Sequence, residues 1–536
     1  MAAPLAYSLT MALALHPPRH GEYGSPLLAG LGLAFSAVAM WLGRGEARQL
    51  LQARLRPTAG WGRSRVLWAA LAVFLACAAT AWFVLDAFPI SDDELAYIFQ
   101  AQTYAEGRLW VPAPPVSAAV QLPHLFDLQG RWVSQYLPGW PLVMTPAVVI
   151  GAPLWLVDPL LAAATLAAFF ALARRYVGRE TAWLGVALLV ANAFFLMTYG
   201  SYFNHGFTLL AGISFALFGS RYWESGRARD ALLAGVCMGA MGLTRPQNAA
   251  LFAAPFVAYL ALSNARRRGL FWFGLGGAPF LAALLAYNAA FTGDPLKPVQ
   301  AVMVHEPLGV GRWVWFKRAL QRILRLPEWT SPILLLGWPL AFLDTLRRRA
   351  DFTDWIMPLT FVGLMLYGGQ GGPQFGARYF FEAWPFAILS ILKAVEPALK
   401  DAARPGRAAW IASGLLAATT LQLAYIPPRM AREHRIVEEN QALYRAVAAL
   451  RLRHALVMIR DDTGKIRPAW PNDLLRNGTH VETRNVIYAL DRGAKNAEVL
   501  AAYPGRTAYL WAGARLSPLG APAAPPAPSG RLGGVR

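Results

Sequence analysis

Three consecutive carboxylates, Asp92, Asp93 and Glu94, follow Ser91 just beyond an apolar run at 66–85. A charge inside hydrocarbon is expensive, so acids beside the end of a span stay ionised in the wet interface, where they can take a proton or hold a cation. The same four residues also fit a capping box, in which the serine accepts the amide three residues on and the glutamate reaches back. Asp92 and Asp93 would then complement the dipole of a helix beginning there. Taken alone, the tetrad leaves catalysis and capping evenly matched, and the elements around it must decide.

Those elements are membrane spans. The chain has 536 residues, 56% of them hydrophobic and only 15% charged, which is too apolar for an ordinary soluble protein. Many runs approach the roughly 20 apolar residues that cross a bilayer as a helix, and no period-2 alternation suggests a barrel. Cys77 and Cys237 both lie in apolar runs, without disulfide or metal-ligand spacing. The net charge of +20 comes largely from short basic loops between spans, so topology explains it. A nucleic-acid surface is not indicated, and the remaining basic residues suit anionic lipid headgroups better.

Counting basic loops orients the chain. A span at 27–42 leads to a loop with Arg44, Arg48, Arg54, Arg56, Arg63 and Arg65, and the run 66–85 then carries the acids to the external face. The stretch 138–152 reads as re-entrant or interfacial, because a full crossing would put Arg174, Arg175 and Arg179 outside. Runs at 154–173, 181–197 and 207–218 alternate after it, and the whole comes to about twelve crossings. The expected fold is an all-α polytopic membrane protein with a small C-terminal α/β extramembrane domain. Its divisions are an N-terminal span and basic loop at 1–65, a catalytic membrane domain at 66–425 with external loops at 86–137 and 292–331, the α/β domain at 426–516 and a disordered tail at 517–536. Within the α/β domain, 455–459, 486–490 and 507–511 read as buried strands and 496–502 as a helix.

This topology places the informative polar clusters on one side. The external face holds the acids, His124 and Asp127, then Asn204 and His205, Arg245 with Gln247, His305 with Glu306, and Arg378 with Tyr379. Arg245 and Arg378 each border a span and could be snorkelling anchors, but a guanidinium also offers bidentate geometry to a phosphate. The loop with Arg312, Lys317, Arg318, Trp313 and Trp315 reads equally as an interfacial phosphate-holding helix or as a solvated basic surface. A divalent cation such as magnesium or manganese on Asp92, Asp93 or Glu94 is chemically reasonable and is not decided by the residues.

Several short motifs resemble the C-type glycosyltransferase superfamily, the membrane enzymes that use polyprenyl-phosphate sugars. They are Asp92-Asp93-Glu94-Leu95-Ala96-Tyr97, Ala173-Arg174-Arg175-Tyr176-Val177-Gly178, Leu243-Thr244-Arg245-Pro246-Gln247 and Gly376-Ala377-Arg378-Tyr379-Phe380. The pattern is similar to bacterial lipopolysaccharide-type sugar transferases and protein O-mannosyltransferase relatives. The resemblance implies transfer of a sugar, usually with inversion, from a polyprenyl phosphate to a lipid, glycan or protein acceptor. It also implies a periplasmic face of the bacterial inner membrane and a catalytic base from the first-loop Asp-Glu pair, here Asp93 and Glu94, with Asp92 shifting the register by one. Elementary chemistry agrees, since a lipid phosphate is a competent leaving group and the protein needs only a base and stabilising cations. On this reading Asn204, His205, Arg245, Arg378 and Tyr379 are the candidate phosphate-binding residues. The alternative is a lipid or solute transporter without covalent chemistry, which would call for ionisable residues near mid-span and an internal repeat.

Overall fold

The computed structural model describes residues 62–122, 124–300, 320, 326, 329–348, 350–366, 375–401, 403–460 and 474–519. The expected span at 27–42, Arg44, Arg48, Arg54 and Arg56 of its loop, His305 with Glu306, most of the basic tryptophan-containing loop, the glycine run 368–372 and the tail beyond 519 lie outside them, whereas Arg63 and Arg65 of the expected loop fall in helix Gly62–Ala79. The chain divides into two compact units: Met1–Val84, Trp155–Tyr287 and Glu306–Arg432 form one, and Leu85–Leu154, Asn288–His305 and Glu433–Arg536 form the other.

The first unit is helical. Its residues form helices Gly62–Ala79, Val157–Tyr176, Arg179–Val190, Ala193–Gly200, His205–Ser225, Ala228–Gly242, Pro246–Leu262, Pro332–Arg347, Phe352–Leu366 and Trp384–Lys400, with much of Gly269–Thr292 and Pro405–Ala449. Val157–Tyr176 carries Asp158 in its first turn and Arg174 and Arg175 in its last, the charge order that a helix dipole favours. Lys393 lies 2.8 Å from Asp351 and 3.1 Å from Asp354, tying Trp384–Lys400 to the start of Phe352–Leu366.

Small residues let two of these helices touch backbone to backbone. A β-carbon at Gly235 would lie 2.0 Å from the Phe273 carbonyl oxygen, and one at Gly276 would lie 2.1 Å from that of Leu232. Neither obstacle is a flexible side chain. Gly235→Val and Gly276→Val should therefore each cost about 3 kcal/mol or more, read as a fall in thermal midpoint and in the yield of folded protein in detergent.

Among the described residues four helices are long and apolar enough to cross a membrane, within Ser64–Val84, Leu154–Tyr176, Gly269–Thr292 and Gly406–Ala449. The protein is a multi-pass membrane protein, although the count of about twelve exceeds what these helices carry by length and composition. One expected span, 181–197, is two helices, Arg179–Val190 and Ala193–Gly200, bent by 64°. Asn192 makes the break. Its Oδ1 accepts the Phe195 amide at 2.8 Å, capping the second helix, while its Nδ2 donates to the Leu189 carbonyl at 2.8 Å and closes the first.

The second unit mixes helix and sheet. Helix Asp92–Ala105 is followed by strands β1 (Val111–Pro112), β2 (Leu125–Leu128) and β3 (Arg131–Ser134), which pair antiparallel in the order β1-β3-β2. The β2–β3 hairpin turns on Gln129 and Gly130, both at positive φ (55° and 80°), as a two-residue primed turn requires. Strands β4 (Ala455–Ile459), β5 (Val486–Leu490), β6 (Thr507–Ala512) and β7 (Arg515–Pro518) form a second sheet in the order β5-β4-β6-β7, with β7 antiparallel to β6. Helix Asn496–Ala502 connects β5 to β6. Leu456, Met458 and Ile487 share one apolar cluster with Leu95, Phe99 and Trp132, so the C-terminal strands and the first loop bury a common core.

The division expected at 426 falls within a helix, a few residues before the boundary between the two units at Arg432 and Glu433. Helix Pro405–Ala449 continues through Pro427 and Pro428. Beyond them Glu433, Val437, Asn440, Leu443 and Val447 are buried at spacings of three or four, a helical stripe that the abundant charges obscure.

At the carboxyl end of β5, burial alone would raise the Asp491 carboxyl, but Arg460 Nε and Asn496 Nδ2 (each 2.6 Å) and the Gly493 amide hold it below its ordinary value. Because the folded value is depressed, this pairing stabilises fully above the unfolded value near 3.8 and is lost as pH falls through the folded one. Asp491→Asn should accordingly flatten the acid limb of thermal stability measured from pH 6 to pH 3.

Candidate active site

The capping box forms. Ser91 Oγ accepts the Glu94 amide at 3.3 Å, and Glu94 Oε2 accepts the amides of Ile90 (2.7 Å) and Ser91 (2.9 Å). Glu94 is only 1% exposed, so its carboxylate is turned back into the helix start. The adjacent acids are engaged differently. Asp93 Oδ1 accepts the Tyr136 hydroxyl, and His124 Nε2 lies 2.9 Å from Asp92 Oδ2 and 3.4 Å from Asp93 Oδ1. Both aspartates keep some solvent access, with side chains 21% and 14% exposed.

The surroundings fix protonation. Burial, and then the charge of Asp93, push the Tyr136 phenol well above its ordinary range, so the hydroxyl stays a donor. Burial opposes charge on His124, but the hydrogen bond to Asp92 and the charge of Asp93 outweigh it and raise the imidazole above its usual value. Gln135 Nε2 meets the other ring nitrogen at 2.6 Å. Tyr136 in turn packs on Tyr97 at 4.5 Å between centroids, and its carbonyl accepts Gln100 Nε2 at 3.1 Å. One face of helix Asp92–Ala105 thus holds the loop that returns Tyr136 to Asp93.

Among the described residues, Asp92, Asp93 and His124 are also a group whose ligand atoms converge, all within 4.8 Å of one another. Glu94, expected beside the two aspartates as a ligand for any cation, is engaged in its cap, while His124 arrives from the β2 approach. A mixed oxygen and imidazole set suits manganese better than magnesium.

The other expected residues gather in the helical unit. Arg245 sits where helix Ala228–Gly242 gives way to Pro246–Leu262, and His205 opens its own helix. His205 Nδ1 lies 2.9 Å from Glu382 Oε1 and carries the ring proton, which leaves Nε2 to accept Arg245 Nη1 at 3.2 Å. Arg245 Nη1 also reaches Asn204 Oδ1 at 3.4 Å, its Nε lies 3.5 Å from Glu382, and its guanidinium covers the Tyr379 ring at 4.8 Å. Arg378 covers the Phe203 ring at 4.4 Å, and that ring is 6.1 Å from His205. Asn204, His205, Arg245, Arg378 and Tyr379 therefore form one cluster, with both arginine residues only 6% exposed.

Glu382 is the member that sequence reasoning missed. It is completely buried and accepts from both His205 and Thr208 Oγ1 (2.8 Å). The signal was an ionisable residue inside the apolar run 380–392, which by its cost alone marks a functional or paired position.

Residues 148–287 match the family described as dolichyl-phosphate-mannose-protein mannosyltransferase. No curated protein matches the chain. Among the solved structures similar in fold are two of one protein. ArnT from Cupriavidus metallidurans bound to undecaprenyl phosphate gives a TM-score of 0.53 at 12% identity, covering 84% of this chain and 93% of that one. The apo state of the same protein gives 0.50 at 13% identity, covering 83% and 93%. The chain shares the fold of the C-type glycosyltransferases, as the motif resemblance implied. The family match falls on the stretch that carries Asn204, His205 and Arg245.

Proposed function

We propose that this protein transfers a sugar from a polyprenyl-phosphate donor to a lipid, glycan or protein acceptor, by direct displacement with inversion, at the periplasmic face of the bacterial inner membrane. The observation that carries the reading is the division of labour in the acidic tetrad. Glu94 is consumed by the helix cap, whereas Asp93 remains partly accessible, oriented by Tyr136 and His124.

Asp93 is the base. It takes the proton of the acceptor hydroxyl as the acceptor oxygen bonds to the anomeric carbon, and the bond from that carbon to the phosphate oxygen breaks with its electron pair. The departing polyprenyl phosphate gains negative charge, which Arg245 and Arg378 stabilise, with His205 and Asn204 holding Arg245 in place. No general acid is needed, and a paired nucleophile and acid of the kind retaining hydrolases use is not required. Undecaprenyl phosphate in a structure of the same fold supports a polyprenyl carrier. Asp92, Asp93 and His124 would hold a divalent cation, which would supply fixed positive charge beside the reacting groups. The test is release of free polyprenyl phosphate in proteoliposomes supplied with lipid-linked sugar and envelope acceptor, with Asp93→Asn as the decisive variant.

A further inference from the structure

The capped helix that presents Asp93 begins after an awkward piece of backbone. Asp86 and Ala87 are consecutive non-glycine residues in the left-handed region, at φ 51° and 49°. Such residues persist only where the surroundings over-determine them. Here the surroundings come from the distal part of the chain. Arg476 donates to the Pro89 carbonyl and lays its guanidinium on the Phe88 ring, 3.3 Å from the centroid. Tyr444 packs edge-on against Phe88 at 5.9 Å and stands 5.2 Å from the Arg476 guanidinium, and Arg445 lies 3.6 Å from Asp86. The next two amides, those of Ile90 and Ser91, are the ones that Glu94 caps.

The far end of the helix is held as well. Glu106, its C-terminal cap, accepts from Thr479 Oγ1 at 3.2 Å and His480 Nε2 at 2.9 Å. Asn477 Nδ2 donates to the Val120 carbonyl at 3.1 Å, anchoring the loop beyond. The segment 476–480 therefore grips both ends of the element that carries the acids.

We propose that Arg476 is a positioning residue for catalysis: it locks the strained turn at 86–89 and so sets where the first helical turn, with Asp93, stands. This rests on the reading of Asp93 as base. A misplacement of about 1 Å in a reacting group can cost on the order of 100-fold in rate, so the clamp acts on turnover rather than on donor binding. Glycine adopts the left-handed conformation without a steric penalty, so a glycine at 87 should reduce the need for the clamp.

The experiment compares Arg476→Ala, Arg476→Ala with Ala87→Gly, Ala87→Gly alone and Asp93→Asn in the full-length protein in proteoliposomes. The proposal expects Arg476→Ala to lower kcat at least tenfold with donor KM within twofold. It expects Ala87→Gly alone to match the parent, and Ala87→Gly to restore at least threefold in the Arg476→Ala background. A parent-like kcat for folded Arg476→Ala, beside an inactive Asp93→Asn, overturns the proposal and leaves the base intact. A loss that Ala87→Gly fails to restore overturns it too, because a merely structural arginine would not be rescued by relaxing the turn. Should Arg476→Ala fail to fold, Arg476→Lys, which keeps the charge and a donor but loses the flat stack on Phe88, replaces it under the same criteria. An active Asp93→Asn removes the assignment of the base instead, and the inference with it.

Discussion

Replacing Asp93 by asparagine is expected to lower kcat for sugar transfer about 1,000-fold, with donor KM moving less than about twofold. The amide keeps the shape of the side chain, and its oxygen can still accept the Tyr136 hydroxyl, so folding and donor binding persist. What it cannot do is take the acceptor proton. The contrast with Glu94→Gln makes the prediction specific. Glu94 Oε2 accepts the Ile90 and Ser91 amides, so its loss should cost stability, about 1 kcal/mol, more than it costs catalysis. Rates of polyprenyl phosphate release and thermal midpoints on the same preparations separate the two. A Glu94→Gln enzyme that is well folded and dead beside an active Asp93→Asn enzyme would reverse the assignment.

Arg245→Lys is expected to lower kcat/KM about 100-fold, the scale of losing one preorganised donor to a developing oxyanion. Arg245 is already tied to Asn204, His205 and Glu382 through Nη1 and Nε, while Nη2 has no hydrogen-bond partner among the described residues. A fork held on one side and open on the other is suited to a phosphate oxygen. Lysine retains the charge that Glu382 needs but has no second planar donor. Arg245→Ala is a poorer test, because it strips the cation from a fully buried carboxylate and should destabilise by about 3–5 kcal/mol. Full activity in a folded Arg245→Lys enzyme would remove Arg245 from phosphate binding.

Much of this was legible in the residues, and the reasons differ from part to part. Ser91 with Glu94 at capping spacing announced a helix start, and that helix begins at Asp92. The strands at 455–459 and 486–490 are short β-branched and aliphatic runs with the bounds read from sequence. Asn204, His205, Arg245, Arg378 and Tyr379 come together as their positions at the ends of apolar runs suggested. What escaped was non-local. That Tyr136 and His124 return to Asp93 depends on a hairpin whose turn, Gln129-Gly130, is short and not strongly marked. The Asn192 break was hidden because a single polar residue scarcely lowers the hydrophobicity of the run around it. The division expected at 426 follows a change in composition, and the rise in charge there hides the stripe from Glu433 to Val447 that carries the helix on.

The burial of Glu382 also bears on how the protein is made. Its partner His205 precedes it by 177 residues, and Arg245 too leaves the ribosome earlier. During synthesis the arginine and histidine therefore enter the bilayer region before the carboxylate that neutralises them exists. Until then they must be sheltered by the insertion machinery or by water at the lipid boundary. Assembly of this cluster thus becomes a late checkpoint in biogenesis, and chains that stop short of residue 382 should be prime substrates for membrane quality-control proteases.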